Sequence, residues 1–399
     1  MQYNGNEYDS YIPNRHNWNQ KNFRKKLLNI SEVICDINAD IIGLQEVENE
    51  KVLKRLKQSL RRVGCIYKYS AITHKKGSSI QVALLSKYPI QTVKEIIVSR
   101  VLGYRNILEV KYIFNNRPLY IYVNHWKSKS SAESKRIFSA KILKKRLEKL
   151  PIGSEYILLG DFNSDYDEYR HIEKKHNDTN GRTAINHILQ TIYKSGTFVR
   201  PYKFNRFEHY NLWLELYNYK RWSHNFYGNK QGLDAILLPS TLFDGKGIDY
   251  VNGSFKVFKK SYLFHKKGYI FRWEYKNNSH KGRGYSDHLP VVALFSTDKP
   301  FKSLLKFPTI NSIETIYSER AIFPILLKDV KVVKKDKKKV TIQDLKSKKS
   351  IVIYGVKESL LFGEIYNIYV YGRKLYKGHY EIIDFEIENG YDVNSKKKD

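Results

Sequence analysis

The chain has 399 residues, enough for one large domain and a second, smaller one. Its 71 Lys and Arg residues outnumber 40 Asp and Glu residues and give a formal net charge of +31. Such a field attracts polyanions, so nucleic acid or an anionic membrane surface is the expected partner, although a solvated Lys-rich surface would give the same count. No apolar run approaches the roughly 18 residues of a membrane span, which excludes an integral helical membrane protein.

The two cysteines, Cys35 and Cys65, are too few for a disulfide framework and lack the spacing of a zinc site. Cys35 falls in a helical pattern and is expected to be a small buried hydrophobe. Met1 is followed by polar residues, so the chain as written predicts a cytoplasmic protein without an export signal.

The first element along the chain is a helix over residues 18–38, where apolar residues recur at steps of three and four. The run Ile41–Leu44 then predicts a buried strand that delivers Gln45 and Glu46 at its end. Similar patterns predict a helix over 52–63, strands over 80–85, 107–114 and 119–123, and a helix N-capped by Ser131.

A short strand over 156–159 leads into Gly160-Asp161-Phe162-Asn163. Residues 165–226 are polar, aromatic and irregular, and are interpreted as a long insertion beside the site. Strands over 233–238 and 291–295 follow, each adjoining an acidic residue. Helices and strands therefore alternate, which indicates a mixed α/β fold.

Five short β segments with Gly-containing turns lie between residues 320 and 388 and predict a small barrel. The expected domains are 1–298, a linker at 299–319, the barrel at 320–388 and a basic tail at 389–399.

Five motifs place acidic, amide or His side chains at the ends of the apolar runs. A single carboxylate at a strand end is more often a cap or a surface charge, but five in order indicate one site. The motifs are Leu44-Gln45-Glu46, Val123-Asn124-His125-Trp126, Gly160-Asp161-Phe162-Asn163, Gly232-Leu233-Asp234 and Tyr285-Ser286-Asp287-His288.

Hydrolysis of a phosphodiester would explain these residue types. A hard divalent cation requires carboxylate oxygens, which Glu46 and Asp287 could supply. Asp161 and Asn163, one residue apart on an extended turn, could hold and activate the attacking water.

The two histidines of these motifs could act on phosphate oxygens or transfer protons. Asp234 is the candidate partner of His288, since a carboxylate beside a His fixes its tautomer and raises its pKa. Taken alone, either His125 or His288 could equally be a structural residue.

The ordered set QEVEN, NHWKSK, GDFNS, GLDAILL and YSDHLPVVA resembles the endonuclease/exonuclease/phosphatase superfamily, which includes deoxyribonuclease I, over residues 20–298. NHWKSK and the stretch HYNLWLEL at 209–216 are most similar to bacterial extracellular or periplasmic nucleases. The resemblance implies a four-layer α/β sandwich with two packed sheets. It also implies the roles given above, with His125 contacting the scissile phosphate and His288 acting as base or phosphate stabiliser. Mg²⁺ is the implied cofactor, with Mn²⁺ or Ca²⁺ as alternatives.

Basic residues near these motifs suit a phosphate-backbone groove. Lys127, Lys129 and Arg136 follow His125, although a solvated helix face explains Arg136 equally well. Arg105 is expected either to contact phosphate or to support the structure.

The C-terminal segments resemble an OB-fold, a barrel that commonly stacks single-stranded bases on aromatic side chains in a basic groove. Tyr369, Tyr371 and Arg373 are the candidates here. The alternative is that these tyrosines fill the barrel core.

One departure from the superfamily concerns its opening strand, which normally ends in an Asn that positions the metal-bound glutamate. Asn4 and Asn6 lie among polar residues and are not assigned to that role. We expect that the strand and a signal peptide precede this start, which would make the protein extracellular or periplasmic. A truncated, impaired copy is the alternative.

The sequence therefore predicts a monomeric, metal-dependent phosphodiesterase that acts on nucleic acid, as a DNA endonuclease of low sequence specificity. A lipid or inositol-phosphate phosphodiesterase of the same fold and a catalytically impaired nucleic-acid-binding protein stay open as alternatives.

Overall fold

The computed structural model describes residues 9–194, 196–201, 205–298, 309–318, 321, 323–354 and 360–387. The residues predicted to form most of the linker (299–308), the basic tail (389–399) and the opening segment with Asn4 and Asn6 lie outside these ranges. The chain forms two compact units. The first comprises Met1–Thr191, Val199–Glu215 and Arg221–Ser303. The second comprises Leu304–Asp399 with two short segments, Ile192–Phe198 and Leu216–Lys220.

The first unit contains four α-helices: α1 (Gln20–Ile37), α2 (Glu50–Arg62), α3 (Glu133–Leu147) and α4 (Glu168–His171). Its longer strands are β1 (Ile41–Val47), β2 (Tyr69–Ile72), β3 (Gln81–Ser86), β4 (Thr92–Ile96), β5 (Ile107–Phe114), β6 (Arg117–His125) and β7 (Glu155–Asp161). They are followed by β8 (Tyr210–Asn211), β9 (His224–Phe226), β10 (Asn229–Gln231), β11 (Asp234–Leu238), β12 (Asp249–Tyr250), β13 (Lys256–Val257), β14 (Tyr275–Lys276), β15 (Ser279–His280), β16 (Val291–Val292) and β17 (Phe295–Ser296). Among the described residues, no helix combines the length and apolar composition that crossing a bilayer requires.

Two sheets form the centre of this unit. The smaller has the order β1-β3-β2 and is antiparallel. The larger has the order β4-β5-β6-β7-β11-β8, with β6 and β7 parallel. The sheets pack face to face: a Cβ on Gly43 of β1 would come within 2.4 Å of the Leu159 side chain in β7, so glycine permits their close approach.

Helices cover both outer faces. The apolar sides of α1 and α2 pack on the smaller sheet, burying Ile34, Leu53 and Leu60. On the larger sheet, Arg146 of α3 donates to Glu109 of β5 at 2.7 Å. Helix, sheet, sheet and helix make four layers, which confirms the predicted fold class.

Strand β1 is less buried than the sequence predicts. Its apolar residues Ile41–Leu44 are only half-buried, whereas β3 is buried throughout. Within the described ranges, the edge of β1 away from β3 pairs with no strand. A cavity of about 1160 Å³ lies along it, bounded also by α1 and by Leu289–Phe295. Pairing on one side only explains the partial exposure.

The local predictions hold with four corrections. The strand predicted over 291–295 is interrupted and forms two short strands, β16 and β17, which pair with different partners. Helices α1 and α2 lie where the apolar periodicity places them. Cys35 is not an isolated buried hydrophobe, because it forms a disulfide with Cys65 with a Cα–Cα distance of 5.7 Å. Ser131 is not the N-cap of α3, which begins after Ala132. The polar strands β2 and β4 escaped prediction, since neither has a long apolar run.

The second unit is built around a closed barrel. Its elements are β18 (Thr309–Asn311), α5 (Ile313–Tyr317), β19 (Ile325–Lys335), β20 (Lys339–Asp344), β21 (Ser350–Tyr354), β22 (Ile365–Tyr376) and β23 (His379–Ile387). Five strands close in the order β19-β20-β21-β23-β22-β19, with only β21 and β23 parallel among these pairs. This order is that of an OB-like barrel, as the sequence predicts.

Alternation along β22 separates the barrel core from its outer surface. Ile368 and Val370 are fully buried in the core, while Tyr369 and Tyr371 between and beyond them are half-buried on the other face. The alternative that these two tyrosines fill the core is therefore wrong.

Candidate active site

Three neighbouring strands of the larger sheet bring acidic and His residues into one row. In the parallel pair β6 and β7, His125 lies opposite Asp161, and in the antiparallel pair β7 and β11, Asp161 lies opposite Asp234. The row is compact because β6 and β7 approach closely at Gly160, where a Cβ would be 2.1 Å from the Asn124 carbonyl oxygen. Strand register alone thus assembles residues more than 100 positions apart in the chain.

The Asp161 carboxylate is buried and held from one side by Asn163. The Asn163 backbone N–H donates to Oδ1 at 2.8 Å, and its side-chain amide donates to Oδ2 at 3.0 Å. Asn163 adopts a left-handed φ of 48°, and its amide also donates to the Trp126 carbonyl at 3.1 Å. Burial raises the pKa of Asp161 to about 7, with opposing effects from His288 and further increase from Asp234.

A second pair lies beside the first. His288 Nδ1 is 2.8 Å from Asp234 Oδ2, which also accepts from the Ser223 hydroxyl at 2.6 Å. The Asp234 carboxylate outweighs the burial of the imidazole and raises the His288 pKa well above its ordinary value. His288 is therefore cationic near neutral pH, with Nε2 as its remaining donor.

The pKa of His125 is shifted in the direction opposite to that of His288. It is buried, with Nε2 at 3.6 Å from Asp161 Oδ2, and its buried Nδ1 makes no hydrogen bond within the described residues. Burial, with the charges of Arg105 and His288, lowers the His125 pKa well below its ordinary value. His125 is thus neutral, and the charge of Arg105 reaches its ring.

Glu46 and Asp287 lie at the solvent side of this cluster. Both are exposed, and Glu46 has a left-handed φ of 58° at a register shift in β1. Their charges reach the buried groups, since Glu46 raises the pKa of Asp161 and Asp287 raises that of His288. The buried acid Asp161 and three further carboxylates form an oxygen-rich, negative environment, which fits a hard divalent cation.

Ligand atoms that lie within 4.8 Å of one another form two groups in the described part of the chain. One joins Asp161, Asp234 and His288, and the other joins Asp287 and His288 with His224. His224 was missed from the sequence because it lies in the irregular stretch before Gly232. Its ring centroid is 4.6 Å from that of His288.

Two of the basic residues expected to contact phosphate have structural partners instead. Arg136 is fully buried, and its guanidinium donates to Glu133 at 2.7 Å and to the Ser128 carbonyl at 2.8 Å. Lys129 Nζ lies 2.8 Å from Asp165 and 2.6 Å from Glu168. The interpretations of Arg136 as a groove residue and as a solvated face are both wrong.

Lys127 has a different environment from Lys129 and Arg136. It is half-buried beside Gly103, on the segment that leads to Arg105. The contact of Lys127 and Arg105 with phosphate stays a prediction.

The pKa of Asp161 predicts how stability depends on pH. Between the ordinary value of 3.8 and about 7, the folded protein retains a proton that the unfolded chain releases. The free energy of unfolding of the metal-free protein should therefore fall as pH rises through this window, because folded Asp161 is destabilised by ionisation.

Urea denaturation in EDTA at pH 5 and pH 7 measures this effect. Asp161→Asn should flatten the dependence, and Asp336→Asn, at an exposed carboxylate of the barrel, should leave it unchanged. A dependence equally steep in Asp161→Asn would contradict the assignment.

Several solved structures are similar to this chain at low sequence identity. Among solved structures, a D. rerio TDP2 humanized by 14 mutations is 14% identical, with a TM-score of 0.47, over 70% of this chain and 94% of its own. An endonuclease/exonuclease/phosphatase family protein from Leptotrichia buccalis is 17% identical, with a TM-score of 0.43, over 71% and 97%. One from Bacteroides thetaiotaomicron is 14% identical, with a TM-score of 0.45, over 69% and 90%.

No curated protein matches the chain. The model of the Endonuclease/Exonuclease/phosphatase family matches residues 3–297, nearly three quarters of the chain and all of the strands that carry the candidate site. By this match the chain belongs to the endonuclease/exonuclease/phosphatase family, whose members are metal-dependent hydrolases of phosphoester bonds.

Proposed function

We propose that this protein is a divalent-metal-dependent nuclease, acting as a DNA endonuclease of low sequence specificity. The observation that carries the proposal is the buried cluster in which the Asp161–Asn163 pair lies beside the Asp234–His288 pair. Hydrolysis at phosphorus needs a group that accepts a proton from the attacking water and a cationic donor that stabilises the phosphate oxygens. The two neighbouring pairs offer one group of each kind.

Asp161 is the group that accepts a proton from the attacking water. Its pKa of about 7 lets it take up that proton near neutral pH, whereas an ordinary carboxylate would be a weaker base. Asn163 holds both carboxylate oxygens in place through its two N–H groups.

His288 supports the opposite side of the reaction. Asp234 holds Nδ1, so the protonated ring directs Nε2–H towards a phosphate oxygen. Of the two roles left open, base and phosphate stabiliser, the raised pKa favours the stabiliser. Neutral His125 contributes a further hydrogen bond to phosphate.

Glu46 and Asp287 are the residues that would hold the cation at the solvent side. When bound there, Mg²⁺, Mn²⁺ or Ca²⁺ would neutralise charge on the phosphate oxygens.

The positive charge supports nucleic acid as the substrate. With a formal charge of +31, the chain attracts a phosphate backbone without reading its bases, which is the basis of low specificity. On the barrel, Tyr369 and Tyr371 have nearly parallel rings at 6.4 Å, and Arg373 follows them on β22 with its guanidinium 3.8 Å from the centroid of the Tyr380 ring. We propose that this face binds single strands.

Incubation with plasmid DNA and Mg²⁺ tests the function. Nicking and linearisation are expected, with complete loss in EDTA. Glu46→Gln should raise the Mg²⁺ concentration for half-maximal rate at least tenfold, since a hard cation loses a charged oxygen ligand. Glu173→Gln, at an exposed glutamate paired with Lys175, is the control.

Two results would contradict the proposal. Release of phosphate or phosphocholine from lipid or inositol-phosphate substrates, with DNA left intact, would favour the second class of phosphodiesterase. Retention of DNA without cleavage in any of the three cations would favour the binding-only protein.

A further inference from the structure

The hairpin of β9 and β10 is physically joined to the candidate active site. His224 at the start of β9 forms a β-bridge with His288, and the Leu289 N–H donates to the Ser223 carbonyl at 2.8 Å. The Ser223 hydroxyl binds Asp234. The base of the hairpin therefore moves with the Asp234–His288 pair.

Rings extend from this base to the tip of the hairpin. His224 and Phe226 share one face of β9, with ring planes within 15° and centroids 6.3 Å apart. The Phe226 ring meets that of Tyr227 edge to face at 4.6 Å. A continuous set of aromatic side chains thus leads from His288 outwards.

The tip is open to solvent. Phe226 is 55% exposed and Tyr227 is 92% exposed. An exposed phenylalanine stabilises no core, so burial in the fold does not account for this residue.

The turn conformation adds a second observation. Tyr227 and Gly228 have φ values of 47° and 87°, the pattern of a two-residue hairpin turn that favours Asn or Asp followed by Gly. A bulky tyrosine is strained in this left-handed conformation. The tip thus carries an unfavourable residue whose ring makes little contact with the fold, which points to a binding role.

The side chains of the hairpin and its surroundings indicate which class of ligand the tip would bind. Lys230 on β10 and Lys259 both lie over the Trp222 ring, at 4.9 and 3.7 Å from its centroid. These two lysines lie near the base of the hairpin, since Trp222 precedes β9 and Lys230 pairs with Asn225. Exposed rings at the tip of a strongly cationic protein are the combination that binds a single strand, where bases stack on rings and cations contact the backbone. A paired duplex hides its base faces from such a tip.

We infer that Phe226 and Tyr227 stack on unpaired bases next to the scissile phosphate, so that the site takes nucleobase-bearing strands with local single-stranded character. This inference rests on the proposed nuclease function and specifies its substrate. His224 acts as a positioning residue, because it holds the tip in register with His288.

Binding of a single-stranded 12-nucleotide DNA that contains 2-aminopurine tests the inference without turnover, in EDTA. Stacking quenches 2-aminopurine fluorescence. Phe226→Ala with Tyr227→Ala should abolish the quench contributed by the tip and weaken binding about 5- to 100-fold. Tyr88→Ala is the control, since Tyr88 is 44% exposed and follows β3 at the end of the smaller sheet away from Glu46.

A second oligonucleotide of equal length and charge, with abasic positions in place of the bases, separates stacking from electrostatics. The double variant and the wild type should bind this probe equally. An equal loss on the abasic probe, or no loss on either, would overturn the inference. So would tip-dependent binding to phosphatidylinositol vesicles in place of DNA.

A cleavage assay distinguishes a failure of the stacking inference from a failure of the proposed nuclease function. If the wild type nicks DNA in Mg²⁺ and the tip variants bind and cleave like it, only the stacking inference fails. If the wild type neither binds nor cleaves any DNA, the proposed function fails as well.

Discussion

Replacing His288 with alanine is expected to lower kcat on DNA by about 10²- to 10⁴-fold, the range for loss of a positioned acid–base group. The reason is that His288, cationic through its 2.8 Å contact with Asp234, lies in the same cluster as Asp161, within 4.8 Å of its carboxylate. Binding should change little, because most affinity for a backbone comes from dispersed positive charge. Single-turnover nicking of plasmid DNA in Mg²⁺, with binding measured in EDTA, gives both quantities.

Two variants sharpen that test. Asp234→Asn leaves the shape of the site but lowers the His288 pKa, so the activity should fall at pH 8 more than at pH 6. His379→Ala, at an exposed histidine that begins β23 of the barrel, should have wild-type activity. Full activity in His288→Ala would contradict the assigned role.

Replacing Arg136 with methionine is expected to lower the free energy of unfolding by about 3–5 kcal/mol, the typical cost of breaking a buried ion pair from one side. Glu133 would keep a charge with no exposure to water, and the Lys127, Ser128 and Ser131 carbonyls would lose a donor. These carbonyls belong to the segment after His125, so activity should also fall. Urea denaturation followed by circular dichroism measures the stability.

Arg283→Met is the matched control for this prediction. Arg283 pairs with Glu274 at the surface, where water and salt screen the interaction, so its loss should barely move the urea midpoint. The double variant Glu133→Leu with Arg136→Met should recover part of the stability, because no buried charge is left unpaired. An Arg136→Met protein as stable as the wild type would exclude a structural role for the pair.

Local patterns determined much of this protein. The apolar periodicity of α1 and α2 lies in consecutive residues, so it could be read before the fold was known. The five short β segments separated by Gly-containing turns likewise predicted the barrel. Because strand ends in an α/β sheet meet at one edge, the motifs ending in His125, Asp161 and Asp234 already indicated a shared site, and the structure brings these residues together.

Tertiary structure decided what depends on distant neighbours. Arg136 and Lys129 look like any basic residues in the sequence, and only the partners Glu133, Asp165 and Glu168 make them structural. The disulfide of Cys35 requires Cys65, which is 30 residues away in the sequence and is brought close by the packing of α1 beside α2.

The charge states of the site residues also depend on distant neighbours. Burial sets the pKa values of Asp161 and His125, and a residue's burial is a property of the whole fold. His224 had no motif to identify it, because its position beside His288 arises from the pairing of two loops 64 residues apart in sequence. The sequence alone therefore indicated which groups to expect in the candidate site, and packing determined their charge states and placed His224 beside them.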